Sequence, residues 1–164
     1  MKKLLSEFFD IVEKQSNDTD RINLILNESK NDNFLKWMLR INFDRDNIKM
    51  LLPEGTPPYK KIEDRPMGYE EITLYKSQRR FYIWLDPKQN LTKMKRESLF
   101  IELLESLHYT EADLFCLIKD GKLTEKYPSI TECLVRKIFP KLLPPATEPQ
   151  PTVKRGRGRP RKEK

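Results

Sequence analysis

Apolar residues recur at helical spacing through most of residues 1–143. Leu5, Phe8, Phe9 and Val12 sit at i, i+3, i+4 and i+7, which predicts an amphipathic helix over 3–14. Ile22, Ile25 and Leu26 repeat the pattern over 19–29. Asp32 is a candidate cap for a third helix carrying Phe34, Leu35, Met38 and Leu39, with Trp37 at its edge. Three such short helices fit a small helical subdomain.

The pattern then breaks. Leu52-Pro-Glu-Gly-Thr-Pro-Pro-Tyr59 and Arg65-Pro66-Met-Gly68 hold too many breakers for any regular element. Leu51, Leu52, Tyr59, Ile62 and Met67 are enough to dock this stretch on the body, so it reads as an ordered connector. Residues 69–85 are ambiguous: Phe81–Leu85 is aromatic and strand-like, but Ile72, Tyr75, Tyr82 and Ile83 fall near one helical face. The length and the run Glu70-Glu71-Ile-Thr favour a helix stopped before Pro87. Arg79 and Arg80 beside Phe81 and Tyr82 invite a base-stacking reading, against which an aromatic pair at a helix end reads as core.

Residues 91–108 form the clearest helix, with Phe100, Leu103, Leu104 and Leu107 on one face and Lys95, Ser98, Glu102 and Glu105 on the other. Thr110 with Asp113 resembles a capping box for a helix carrying Leu114, Leu117 and Ile118 that ends at Gly121. Ser129 and Glu132 form another, before Leu134, Val135, Ile138 and Phe139, and Pro140 stops that helix. The expected fold is all-α: a body of six or seven short helices over 1–143, a Pro-rich linker over 144–153, and a basic tail over 154–164. Four prolines make the linker a semi-rigid spacer, on the order of 30 Å when extended.

Charge changes the picture, because it is unevenly placed. The formal net charge is +7, and residues 144–164 supply +5 of it, so the body is close to balanced. Attraction of the body to nucleic acid does not follow from charge alone. Cys116, Cys133 and the single histidine, His108, match no zinc-ligand spacing, so no metal is expected; a cystine stays open. His108 reads as a cation at a helix C-terminus. No phosphate loop, nucleophile elbow or triad is apparent, so neither a catalytic residue nor a cofactor is expected. Glu7 and Asp10 interrupt the N-terminal apolar run, and the longest such run, Phe81–Leu85, is far short of a membrane span. A soluble, intracellular protein is expected.

Residues 154–164, Lys-Arg-Gly-Arg-Gly-Arg-Pro-Arg-Lys-Glu-Lys, contain seven cations and no apolar side chain beyond Pro160, a composition expected to be disordered when unbound. Arg157-Gly158-Arg159-Pro160, flanked by Lys154, Arg155, Arg161 and Lys162, resembles the core of an AT-hook. The minor groove is about 6 Å wide and narrower in A-tracts, so an extended chain enters only where side chains are absent, as at Gly156 and Gly158. Pro160 biases Arg159 towards an extended conformation, which lets the core arginines point in opposite directions. The resemblance implies Arg157 and Arg159 on the groove floor with a preference for A·T pairs, since the G·C pair puts an amino group there. An RNA-binding Arg-Gly segment and a nuclear-targeting signal are the alternatives.

Leu52–Tyr59, Arg79-Arg80-Phe81-Tyr82, the run from Lys95 to His108 and Glu111-Ala112-Asp113-Leu114 resemble a small family of uncharacterised proteins encoded by T4-like tailed phages, over roughly residues 1–143. That resemblance implies a phage setting and no catalytic residue. Together these features predict a non-enzymatic DNA-binding accessory protein. Its hook would bind A·T-rich duplex while the body engages a partner protein or a second copy. Such a protein would be found on the nucleoid in the host cytoplasm or in the virion. The rival expectation is an assembly or virion-associated protein whose tail contacts nucleic acid non-specifically.

Overall fold

A computed structural model describes residues 3–30, 32–63, 66 and 72–145 of the chain. Among them every regular element is helical: α1 (Leu5–Glu13), α2 (Asp18–Lys30), α3 (Phe34–Phe43), α4 (Leu74–Ser77), a 3-10 turn (Gln78–Arg80), α5 (Tyr82–Leu85), α6 (Lys93–Ser106), α7 (Tyr109–Asp120), α8 (Leu123–Lys126) and α9 (Glu132–Ile138). The all-α expectation therefore holds. The extra elements beyond six or seven are the single turns α4, α5 and α8.

The apolar stripes become one core. α7 is its axis: α1, α3, α6 and α8 all pack on it, while α9 closes against α2. Seven of the twelve residues of α7 are buried, the pattern of a helix covered on most sides. The N-terminal helices are therefore not a separate subdomain. Phe9, Val12, Ile25, Met38 and Leu39 join the same cluster as Leu103, Phe115 and Val135.

Around α7 an aromatic group sets the register of α5 and α6. Phe81 stacks on Phe115 with centroids 5.0 Å apart, Phe100 lies 5.5 Å from Phe115, and Trp84 meets Phe100 edge-on at 5.8 Å. The Trp84 indole N–H donates to the Arg96 carbonyl at 2.9 Å, so its one polar group is satisfied in the interior.

This group corrects the reading of 69–85. The buried stripe is Leu74, Ser77, Phe81 and Trp84, whereas Ile72, Tyr75 and Tyr82 are exposed and Ile83 is half-buried. Instead of one helix there are two single turns joined by a 3-10 turn. Phe81 is core and unavailable to a base; Tyr82 faces outward.

Two expected caps also move. α7 is capped by His108, whose Nδ1 accepts from the Thr110 amide at 3.4 Å, and not by Thr110. Asp113 is used elsewhere, accepting from the Tyr59 hydroxyl at 2.7 Å and pairing with Lys61. α9 is capped by Thr131, which accepts from Leu134 N–H at 3.2 Å. Ser129 instead donates from both its hydroxyl and its amide to the Glu13 carboxylate. Asp32 does serve α3, accepting from Phe34 N–H at 2.9 Å. Gly121 ends α7 in the left-handed region, φ +71°, and the next amide reaches back to Leu117 O at 2.8 Å.

The proline-rich connector is ordered over its described part. Leu51 N–H bonds Trp84 O at 2.7 Å, Gly55 N–H bonds Asp120 at 2.9 Å, and Lys60 N–H bonds Glu105 at 3.1 Å. Leu52 and Tyr59 pack on the core, but Leu51 and Ile62 are exposed. Met67 lies outside the described residues.

Candidate nucleic-acid interface

The expected DNA-binding residues, Lys154, Arg155, Gly156, Arg157, Gly158, Arg159, Pro160, Arg161 and Lys162, lie outside the described residues. What is described is the place from which that segment departs. After α9 the chain turns back on itself: Leu142 packs on the core, Leu143 is buried, and Arg136 donates to Pro144 O at 2.6 Å while its other nitrogens hold Glu132. The expected linker is therefore fixed to the body through Pro144.

Beside this exit lies a basic furrow. Lys36 and Arg40 occupy successive turns of α3 next to Leu142, and Trp37 between them leads to Gln78, Arg79 and Tyr82. Lys141 and Pro145 line its near end. Tyr82 is 54% exposed, while Trp37 is half-buried. Asp44 lies beneath with its carboxylate buried, bonded by Arg40 Nε at 3.2 Å and Asn47 at 2.6 Å.

A second polar constellation, at the N-terminus of α7, is the one closest to catalytic residue types. The Thr110 hydroxyl lies 2.7 Å from His108 Nδ1 and 2.9 Å from Ser6 Oγ. Glu111 accepts from the amides of Leu5 at 3.0 Å and Leu74 at 2.9 Å. Ser6, His108 and Glu111 are all buried, and the bonds of Ser6 and Glu111 fix the start of α7 to the starts of α1 and α4. His108 is thus a buried cap at the start of α7. Glu111, Arg96, Asn42 and Lys119 are buried polar residues that periodicity did not single out. Their partners are mostly remote in sequence, which no local pattern signals.

Cys116 and Cys133 are both free thiols, the first buried and the second exposed. Burial pushes the Cys116 thiol up to about 11, in keeping with a small core hydrophobe. Burial, reinforced by Asp113, raises Tyr59 above the ordinary phenol range, and burial with Asp10 does the same to Tyr127. Among the described residues no group of three or more His, Cys, Asp or Glu side chains could hold a metal ion, and no helix is long and apolar enough to cross a membrane.

The region that carries these features is shared with other proteins. Residues 8–125 match the description "Family of unknown function (DUF6433)". The chain belongs to that family. No curated protein and no solved structure matches it. The DUF6433 match runs from within α1 to α8, so it takes in the aromatic core, the connector and the α3 side of the furrow. α9, the Leu143 anchor and the basic segment lie beyond the matched residues, although α9 packs on α2 as part of the same core.

Proposed function

We propose that this DUF6433 protein is a non-enzymatic DNA-binding accessory protein of a bacteriophage. Its hook at Lys154–Lys162 binds the minor groove of A·T-rich duplex, while its helical body engages a partner protein or another copy at the host nucleoid. The observation that carries the reading is the tail itself. Arg157-Gly158-Arg159-Pro160 with four flanking cations accounts, with its neighbours, for most of the chain's net charge. The phage setting rests on the sequence strings at 52–59, 79–82, 95–108 and 111–114. A single hook buries little surface, so a second tethered contact raises its effective concentration and its affinity.

The test is competition between an A-tract duplex and a G·C duplex of equal length. Gly158→Ala keeps every charge but adds a methyl where the backbone lies against the groove floor. Arg159→Lys keeps charge and loses the planar, weakly hydrated fork. Both should abolish the A·T preference while leaving weak, salt-sensitive binding to any duplex. Arg161→Ala should weaken binding about equally on all sequences, as loss of a phosphate contact does. A parent protein that never discriminates, or charge-preserving variants that discriminate as well as it does, would instead make the tail a polycation. That result would favour the virion-associated reading.

A further inference from the structure

We propose that the furrow along α3 is a second DNA contact, which takes the phosphate backbone of the same duplex that the C-terminal hook engages; it rests on the DNA-binding reading of the tail. Three adjoining hollows of about 590, 440 and 490 Å³ make the furrow, joined because Arg40 and Leu142 line the first two and Trp37 and Gln78 the last two. Its cations are Lys141, Arg40, Lys36 and Arg79, from the chain exit to the far end.

These cations are available. Arg79 and Lys141 are exposed and make no ion pair or hydrogen bond among the described residues. Arg40, whose side chain is 42% exposed, uses only Nε on Asp44. Lys36 is steadied by Asn33 at 3.2 Å and by the Phe139 ring at 5.5 Å. Of the two acids at the furrow, the Asp44 carboxylate is 1% exposed and paired with Arg40, so the net positive charge comes from Lys36, Arg79 and Lys141 against Asp86. Asp86 accepts from Lys88 N–H and Gln89 and is held below the usual carboxylate range by those bonds, so it stays anionic at the far end.

Geometry and charge select the occupant. Lys36 and Arg40 are four residues apart on α3, about 6 Å along its axis. Successive phosphates of one DNA strand lie at a comparable separation. The basic tail has the same sign as the furrow and is not its partner. Lys154 follows Pro145 by nine residues, a reach of at most about 30 Å. Hook and furrow can therefore meet one duplex within about nine base pairs.

The protein has two tryptophans, and they divide the readout: Trp84 is fully buried and Trp37 lines the furrow. The full-length protein is titrated with a dye-labelled A-tract duplex. Anisotropy of the dye reports binding, and protein emission is recorded in parallel. Duplex should quench or shift the emission of the parent, and Trp37→Phe should abolish that change while binding persists. The double variant Arg79→Gln/Lys141→Gln, at exposed unpaired positions, should flatten the log affinity against log salt slope by about 1.8, from about 0.9 per phosphate contact. A fourfold rise in salt should then cost the variant about tenfold less affinity than it costs the parent. Binding with unchanged tryptophan emission and an unchanged slope overturns the furrow and leaves the hook standing. Quenching by polyglutamate but not by duplex overturns it in favour of an acidic protein partner. No binding at 50 mM salt overturns both hook and furrow.

Discussion

Glu111 offers the most demanding test of the fold, because one carboxylate ties together helix ends that are far apart in sequence. It is 1% exposed and accepts the first amide of α1, from Leu5 at 3.0 Å, and the first amide of α4, from Leu74 at 2.9 Å. It also sits in the first turn of α7, so helix N-termini converge on a negative charge, the favourable arrangement for the backbone dipoles. A hydrogen bond to a charged acceptor contributes about 1.5–3 kcal/mol. The bonds from Leu5 and Leu74 together are then worth about 3–6 kcal/mol, against a total stability of about 5–15 kcal/mol for a domain. Glu111→Gln keeps the shape, but only one oxygen can still accept; the new NH₂ faces the other amide. The expected loss is about 2–4 kcal/mol, and a loss of 3 lowers the melting temperature by about 6–12 °C for a domain of this size. Urea unfolding followed by far-UV circular dichroism measures it, with exposed Glu125→Gln as a control expected within about 0.5 kcal/mol. Hydrogen exchange at the Leu5 and Leu74 amides should accelerate together in Glu111→Gln. A variant within about 0.5 kcal/mol of the parent, with both amides still protected, would refute the clamp.

Gly121→Ala should cost about 1–2 kcal/mol in the same urea assay, because a Cβ at φ +71° is strained and would sit 3.2 Å from Asn42 O and 3.0 Å from Arg45 Cδ. A thiol reagent should modify Cys133 rapidly in the native protein and Cys116 only on unfolding, checked by mass spectrometry with and without urea. The folded-state pKa of Cys116 is raised from 9.0 to about 11, so its thiol contributes stability in full below pH 9 and loses it as pH rises through 11. Stability should therefore fall over that window, and Cys116→Ala should reduce the slope. Truncation after Pro145 should leave the melting temperature nearly unchanged, whereas Leu143→Ala, which empties a buried position, should cost about 2–4 kcal/mol.

The sequence by itself determined the elements whose hydrophobic period runs long enough to be unambiguous. The stripes of α1, α3, α6 and α9 were legible because each must present one apolar face whatever it packs against. The Gly121 stop was legible because a left-handed C-terminal position favours glycine, and the Pro140 stop because proline cannot continue a helix. The proposed hook residues, too, were named from composition and order alone.

Tertiary structure decided the rest, wherever several local solutions compete. Thr110 could have capped α7, but its hydroxyl is engaged by Ser6 and His108; Ser129 could have capped α9, but Glu13, 116 residues away, takes both its donors. Residues 72–85 offer two helical phases, and the stacking of Phe81 on Phe115 selects the one that leaves Tyr82 outside. The furrow is also a tertiary product, since Lys36 and Arg40, Arg79, and Lys141 come from three separated stretches of the chain. Local periodicity fixes which face of a helix is apolar, but only the packing of remote elements fixes which polar groups meet.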